Sequence, residues 1–155
     1  MKIQTDIECA IATGENVLIT GGNSAARTAL ARLIHQRSSR RDRSWVVLDG
    51  NRPIQPPSEA DEARPVPDEA GRTLFIEELA ALDGSAQDDL MRLLERNVDS
   101  LIDDGPETRI ISGTAHNPVE RLAARLFDAG LFYRLNTIHI ALDDERRLAS
   151  PSTVH

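Results

Sequence analysis

A chain of 155 residues with 40% hydrophobic and 28% charged residues fits one globular domain, whose folding can bury roughly 70% of its extended surface. The net charge of −7 argues against a general nucleic-acid binder, because phosphate affinity comes from clustered Lys and Arg. The single cysteine, Cys9, excludes an intrachain disulfide and a cysteine-rich metal site, and aromatic residues at 3% leave the core to aliphatic side chains.

Residues 1–6 lack the apolar stretch of a signal peptide, and no later run reaches the roughly 18 apolar residues of a membrane span. A cytoplasmic protein without a membrane partner is therefore expected. Ile3, Ile7, Ala10 and Ile11 fall at helical spacing ahead of Gly14 and predict a short amphipathic helix. Residues 16–20 read as the first strand. The chain then turns at Gly21 and Gly22 and restarts with helical period. This predicts a helix over 25–36 with an apolar face of Ala26, Ala29, Leu30, Leu33 and Ile34. The basic segment 37–43 reads as a solvated connection, and residues 45–49 as the second strand. Proline and acid crowd residues 50–71, which read as a loop.

Residues 73–78 predict a third strand ending in Glu77 and Glu78. The next helix is expected to start at Ser85, capped by its hydroxyl with Asp88 three residues on, along a stripe of Ala86, Leu90, Leu93, Leu94 and Leu101. Residues 103–106 end that segment. A fourth strand over 108–114 leads into Asn117-Pro118-Val119-Glu120, with a capping asparagine and proline at the first helical position. That helix is expected to bury Val119, Leu122, Ala123, Leu126 and Phe127 and to end in a left-handed turn at Gly130. Residues 136–141 form the fifth strand, and 143–155 read as a disordered tail. Strands alternating with amphipathic helices imply an α/β domain, a five-stranded parallel sheet flanked by helices on both faces. Ligands of such sheets bind beyond the carboxyl ends of the strands, where residues 21–28, Glu77, Glu78 and residues 114–117 converge.

The candidate chemistry lies there. Over residues 21–28 the chain follows the phosphate-loop pattern G-x-x-x-x-G-K-[ST] in its first glycine and last threonine, with Ala26 in place of the second glycine and Arg27 in place of the lysine. Gly21, Gly22, Asn23, Ser24, Ala25, Ala26, Arg27 and Thr28 are the candidate phosphate-binding residues, because a glycine turn into a helix N-terminus aims amides at an anion. Thr28 offers a hydroxyl for magnesium. Arg27 keeps the positive charge without the compact ammonium, and Ala26 adds a methyl where close approach favours glycine. Glu77 and Glu78 are placed for a magnesium-linked acid and a general base; as a structural feature, the pair would simply be a solvated turn or a helix partner. His35, His116, His139 and His155 have no metal-ligand spacing. Ser24, Ser112 and His116 lack the G-x-S-x-G elbow of a hydrolase.

The order of these motifs resembles the AAA+ ATPase domain of bacterial enhancer-binding proteins, the sigma-54-dependent transcription activators. Val17-Leu18-Ile19-Thr20-Gly21, with Ala31-Arg32-Leu33-Ile34-His35 and Ser38, is similar to the Walker A strand and helix. Gly71-Arg72-Thr73-Leu74-Phe75-Ile76-Glu77-Glu78-Leu79 is similar to the Walker B segment, and residues 87–95 to the family's next helix. Phe127 with Leu131-Phe132-Tyr133-Arg134-Leu135-Asn136 resembles the arginine-finger segment. The resemblance implies a P-loop NTPase three-layer sandwich over residues 1–142 without the helical lid. Residues 50–71 replace the sigma-contacting G-A-F-T-G-A insertion, and 143–155 are a tail or the start of a missing lid.

The same resemblance implies ATP and Mg as cofactors, Glu77, Glu78 and Arg134 as catalytic residues, and Thr28 and Glu77 as metal ligands. Its partners would be activator ring subunits or the RNA polymerase sigma factor, with homo-oligomer formation and no direct DNA binding by this domain. The departures are Ala26, Arg27 and Glu77, then Ala115 at the sensor asparagine and Asp128 at one of two finger arginines. Losing preorganised charge-stabilising groups costs several kcal/mol, about 3 for one donor. The expected function is therefore transcription regulation through protein contacts with ATP hydrolysis impaired or absent. The alternative is an active or weakly active ATPase subunit of a ring-forming activator.

Overall fold

Five short runs of aliphatic residues become strands of one sheet in the computed structural model, which describes residues 2–48, 72–99 and 108–142. Helix α1 (Lys2–Ala12) precedes strand β1 (Val17–Thr20), helix α2 (Ser24–Arg37) and strand β2 (Trp45–Leu48). Strand β3 (Arg72–Ile76), a 3-10 turn (Leu79–Ala81) and helix α3 (Gly84–Asp99) follow. Strand β4 (Thr108–Thr114), the short helices α4 (Pro118–Ala123) and α5 (Ala129–Leu135), and strand β5 (Ile138–Ala141) complete the order. The strands lie in the order β2-β3-β4-β1-β5 and every neighbouring pair is parallel.

Alternation along the strands divides the core between the two faces of the sheet. Val17, Ile19, Phe75, Ile111 and Ile140 pack with Ala10 of α1 and with Ala31 and Ile34 of α2. Leu18, Leu74, Ile76 and Ile110 pack instead with Leu90, Leu93 and Leu94 of α3 and Leu131 and Leu135 of α5. Helices thus cover both faces, the three-layer arrangement expected of a buried parallel sheet. The carboxyl ends of β1, β3 and β4 open at one edge, with β1 between β4 and β5.

One polar group is built into this core. Arg109 on β4 is fully buried; its Nε donates to the Glu15 carbonyl at 2.9 Å and its Nη2 to the carbonyl of Ala10. A cation placed there satisfies the Ala10 carbonyl in the last turn of α1, which the helix leaves without a partner, and the Glu15 carbonyl in the turn beyond it. Burial, with help from the nearby Arg40, pushes its pKa down to about 10, so the guanidinium stays charged at neutral pH.

Several local expectations are corrected. On α2 the buried residues are Arg27, Ala31, Ile34 and His35, while Ala26 and Ala29 are exposed. The buried side is turned toward polar anchors that hydrophobicity does not report. His35 Nδ1 lies 2.8 Å from the Thr73 hydroxyl, and its ring centroid is 5.3 Å from that of Trp45. Burial holds the His35 pKa below its ordinary value, with the charges of Arg109, Arg32 and Arg40 adding to this.

Helix α3 starts at Gly84 instead of Ser85, because Asp83 Oδ1 accepts from the Ala86 amide at 2.8 Å. Its stripe of Ala86, Leu90, Leu93 and Leu94 is buried as expected. Helix α4 stops at Ala123, leaving Ala123 exposed and Val119 and Leu126 at 69% and 57% exposure. The left-handed residue after it is Arg125, with φ 59°, and not Gly130. Gly130 lies inside α5, which Asp128 caps by accepting from Leu131 N at 3.1 Å. A strong N-cap at Asp128 thus starts a new helix where one longer helix was expected. Strand β3 ends at Ile76, so Glu77 and Glu78 lie just past it. The expectations for residue 49, the 50–71 loop, Leu101, residues 103–106 and the 143–155 tail lie outside the described residues.

Candidate functional site

The loop after β1 owes its shape to two glycines and an asparagine. Gly21 and Gly22 adopt φ 78° and 62°, the left-handed region that glycine enters without steric penalty. A Cβ on Gly22 would also stand 3.0 Å from Leu142 Cδ1. Asn23 returns to extended geometry, and its Oδ1 accepts from the Ala26 amide at 2.7 Å, which starts α2 at Ser24. The Gly21 amide donates to Thr114 O at 3.3 Å and fixes the loop to the end of β4.

Arg27 lies beneath this loop. Its side chain is 4% exposed, and Nη1 donates to Gly21 O at 2.9 Å and to Gly22 O at 3.0 Å. It passes over Gly113, where a Cβ would sit 3.2 Å from Glu77 O and 3.3 Å from Arg27 Cδ. Glycine at the next-to-last position of β4 therefore makes room for the arginine. The buried Nε has no hydrogen-bond partner. A phosphate loop needs its cation extended toward the anion; here the cation braces two carbonyls of its own loop.

The carboxylates are engaged as well. Glu77 Oε1 accepts from the Ser24 hydroxyl at 2.9 Å. Glu78 Oε2 accepts from Ala80 N at 2.9 Å, capping the 3-10 turn, and Oε1 accepts from Ala115 N at 2.8 Å. Burial pushes the Glu78 pKa up, but hydrogen bonds from Ala115, Thr114 and Ala80, together with the His116 charge, outweigh it and hold the carboxyl below its usual range. A general base works best with a pKa near the operating pH and a free lone pair facing the nucleophile. Glu78 instead joins the ends of β3 and β4.

Residues 21–28, Glu77, Glu78, Thr114 and Ala115 therefore do come together at the carboxyl edge of the sheet. Thr28 is half-buried in the first turns of α2. Among the described residues, no group of three or more His, Cys, Asp and Glu side chains is arranged to hold a metal ion. Arg134 lies elsewhere: its carbonyl accepts from Asn16 Nδ2 at 3.1 Å, at the amino end of β1, and its side chain is exposed next to Tyr133, itself 73% exposed. Asp128, expected from the resemblance at one of the two finger positions, caps α5.

Sequence reasoning missed Gly113, the capping role of Asn23 and the bond between Ser24 and Glu77. Gly113 could have been flagged as a glycine inside an apolar strand, a sign of close approach. Asn23 stands immediately before a helical run, where asparagine caps. No sequence signal links Ser24 to Glu77, a contact between residues 53 apart.

A family model described as the sigma-54 interaction domain matches residues 1–144. Limonene hydroxylase of Geobacillus stearothermophilus is 34% identical over 149 residues, covering 81% of this chain and 27% of that protein. The structure of NtrX from Brucella abortus in complex with ATP superposes with a TM-score of 0.69 at 26% identity, covering 90% of this chain and 34% of that one. The P-loop NTPase domain of the sigma-54 transport activator from E. coli shares the fold, with a TM-score of 0.61 at 21% identity over 90% of this chain and 93% of that one. The chain spans between 27% and 35% of the length of the curated relatives it matches. Among the described residues no helix is long and apolar enough to cross a membrane. With its five-stranded parallel P-loop NTPase fold and a family match over nearly its whole length, the chain belongs to the sigma-54 interaction domain family.

Proposed function

We propose that this domain acts in sigma-54-dependent transcription regulation through protein contacts, with ATP hydrolysis impaired or absent. The observation that carries this reading is the position of Arg27, bonded to Gly21 O and Gly22 O where a catalytic cation would reach for phosphate. Glu77 is tied to Ser24, and Glu78 to the backbone amides of Ala80 and Ala115. The residues present therefore do not fit magnesium-assisted hydrolysis.

Nucleotide binding is a separate matter. The turn at Gly21 and Gly22 and the ATP complex of NtrX support a phosphate subsite over residues 21–28. To use it, Arg27 must leave both carbonyls and Asn23 must release the Ala26 amide. Two such bonds to a charged group are each worth about 1.5–3 kcal/mol, so binding is weak. The competing reading, an active subunit of a ring-forming activator, draws on the same glycine turn. Measuring phosphate release separates the two.

The partners we propose are activator ring subunits or the RNA polymerase sigma factor, with self-association through the surface around Arg134 and Tyr133. The domain itself makes no direct DNA contact, consistent with its net charge of −7. Affinity-tagged chain incubated with a sigma-54 activator and sigma-54 RNA polymerase is expected to recover one of them in a complex that persists without nucleotide. Recovery of neither would overturn the regulatory reading.

A further inference from the structure

Glu77 follows β3 directly, and its side chain reaches the first residue of α2, where Oε1 accepts from the Ser24 hydroxyl at 2.9 Å. The backbone behind it is fixed. Glu77 N donates to Leu48 O at 3.3 Å, and Glu77 O lies 3.2 Å from the point that a Cβ on Gly113 would occupy. A carboxylate held at the first turn of this 14-residue helix sits in a field that favours negative charge, the same field with which a phosphate loop holds phosphate. The protein's own anion is already there.

Around this contact the loop is open. Asn23, Ser24, Ala25 and Ala26 are exposed, whereas Arg27 is 4% exposed and its Nε has no hydrogen-bond partner. That Nε lies 3.4 Å from the same point above Gly113 that adjoins Glu77 O. An unmet donor on a buried cation is one that an incoming anion can satisfy. Among the described residues no cation pairs with Glu77, the recorded ion pair being Arg92 with Asp89. The loop thus offers an anion a donor and opposes it with a carboxylate.

We propose that Glu77 is an internal anion that excludes phosphate from the loop, and not the magnesium ligand that the resemblance implies. The inference rests on the reading of this site as one with hydrolysis impaired or absent, and it names the residue that sets the affinity of the same site for nucleotide. A carboxylate and a polyphosphate at one helix N-terminus repel each other, and at close range in a half-buried site that repulsion is strong. The two roles of the acid differ in sign. A metal ligand raises affinity for the magnesium complex and is indifferent to free nucleotide, whereas an internal anion lowers affinity for free nucleotide.

Calorimetric titration of ATP in EDTA compares the full chain with Glu77→Gln, whose amide oxygen still accepts from Ser24 while the charge is lost. The variant is expected to bind ATP at least about tenfold more tightly. Glu77→Asp keeps the charge and withdraws it by one methylene, so it should gain less than Glu77→Gln. Asp42→Asn, on the exposed connection beyond the far end of α2, changes the net charge equally and should shift the affinity less than about twofold, because a distant surface charge is screened. Unchanged ATP affinity in Glu77→Gln, including no binding by either protein, overturns the proposal. An equal gain in Glu77→Asp also overturns it, since the Ser24 contact and not the charge would then be responsible. Weaker MgATP binding in Glu77→Gln with free ATP unaffected would mark Glu77 as a metal ligand. If the affinity fails to rise while phosphate release stays at background, exclusion by Glu77 falls alone; if it rises while the wild type turns over MgATP, the reading of impaired hydrolysis falls alone.

Discussion

Arg27→Ala is expected to lower the unfolding free energy by about 2 kcal/mol and to leave affinity for MgATP undiminished. The side chain is 4% exposed and supplies two charge-assisted hydrogen bonds, to Gly21 O and Gly22 O. Together these contribute about 1.5–3 kcal/mol net, less than their sum because one nitrogen serves both. The unpartnered Nε works in the other direction by about 1–3 kcal/mol. Lost packing of the side chain over Gly113 tips the balance toward destabilisation. In a working phosphate loop the result reverses: removing the cation leaves the fold intact and reduces nucleotide affinity strongly. Urea denaturation and calorimetric titration of MgATP on the same two proteins read both quantities. A stable variant with at least tenfold weaker MgATP binding would show that Arg27 serves the nucleotide.

Arg109→Ala should have the larger effect on stability, about 4 kcal/mol. The substitution opens a cavity in a fully buried position of β4 and leaves the carbonyls of Ala10 and Glu15 without their donor. Arg109→Met refills much of the volume and removes the buried charge, so about half of the loss should return. The remainder reports the two carbonyls. Because both belong to α1 and the turn after it, hydrogen exchange should show the amides of α1 opening before those of β1 and β4 in either variant. If Arg109→Met matched the wild type in urea, the carbonyl bonds would contribute nothing to holding α1.

The sheet was legible because parallel strands buried on both faces read as aliphatic runs, and Val17-Leu18-Ile19 and Arg109-Ile110-Ile111 meet that description almost without interruption. The charged first member of the second run shows where such reading ends. Hydropathy cannot announce that Arg109 is fully buried, since its partners are backbone carbonyls 94 and 99 residues away. The face of α2 was misjudged for the same reason. Arg27 and His35 turn inward toward Gly21, Gly22 and Thr73, and these polar contacts override the alanine stripe. Around α4, proline and asparagine marked the start correctly, but the competing cap at Asp128 cut the helix short.

At the site, the sequence located the loop and the two glutamates but could not say how they are used. Identity at Gly21 and Thr28 speaks to ancestry. Function depends on where Arg27, Glu77 and Glu78 point, and each of them is bonded to a neighbour within the protein. Ala115 illustrates the difference: expected from the resemblance at a sensor asparagine, it meets Glu78 through its backbone amide, at 2.8 Å. Sequence departures led to the expectation of impaired hydrolysis, and these contacts are the physical ground on which the proposal of impaired hydrolysis rests.

The most direct measurement is steady-state phosphate release from MgATP over a wide range of chain concentration, with Glu78→Gln and Arg134→Ala in parallel. A rate equal to the protein-free background at every concentration, unchanged by either substitution, is expected. Turnover that rises with concentration and disappears in both variants would contradict it, because only an assembled ring with Glu78 as base and Arg134 as finger behaves in that way.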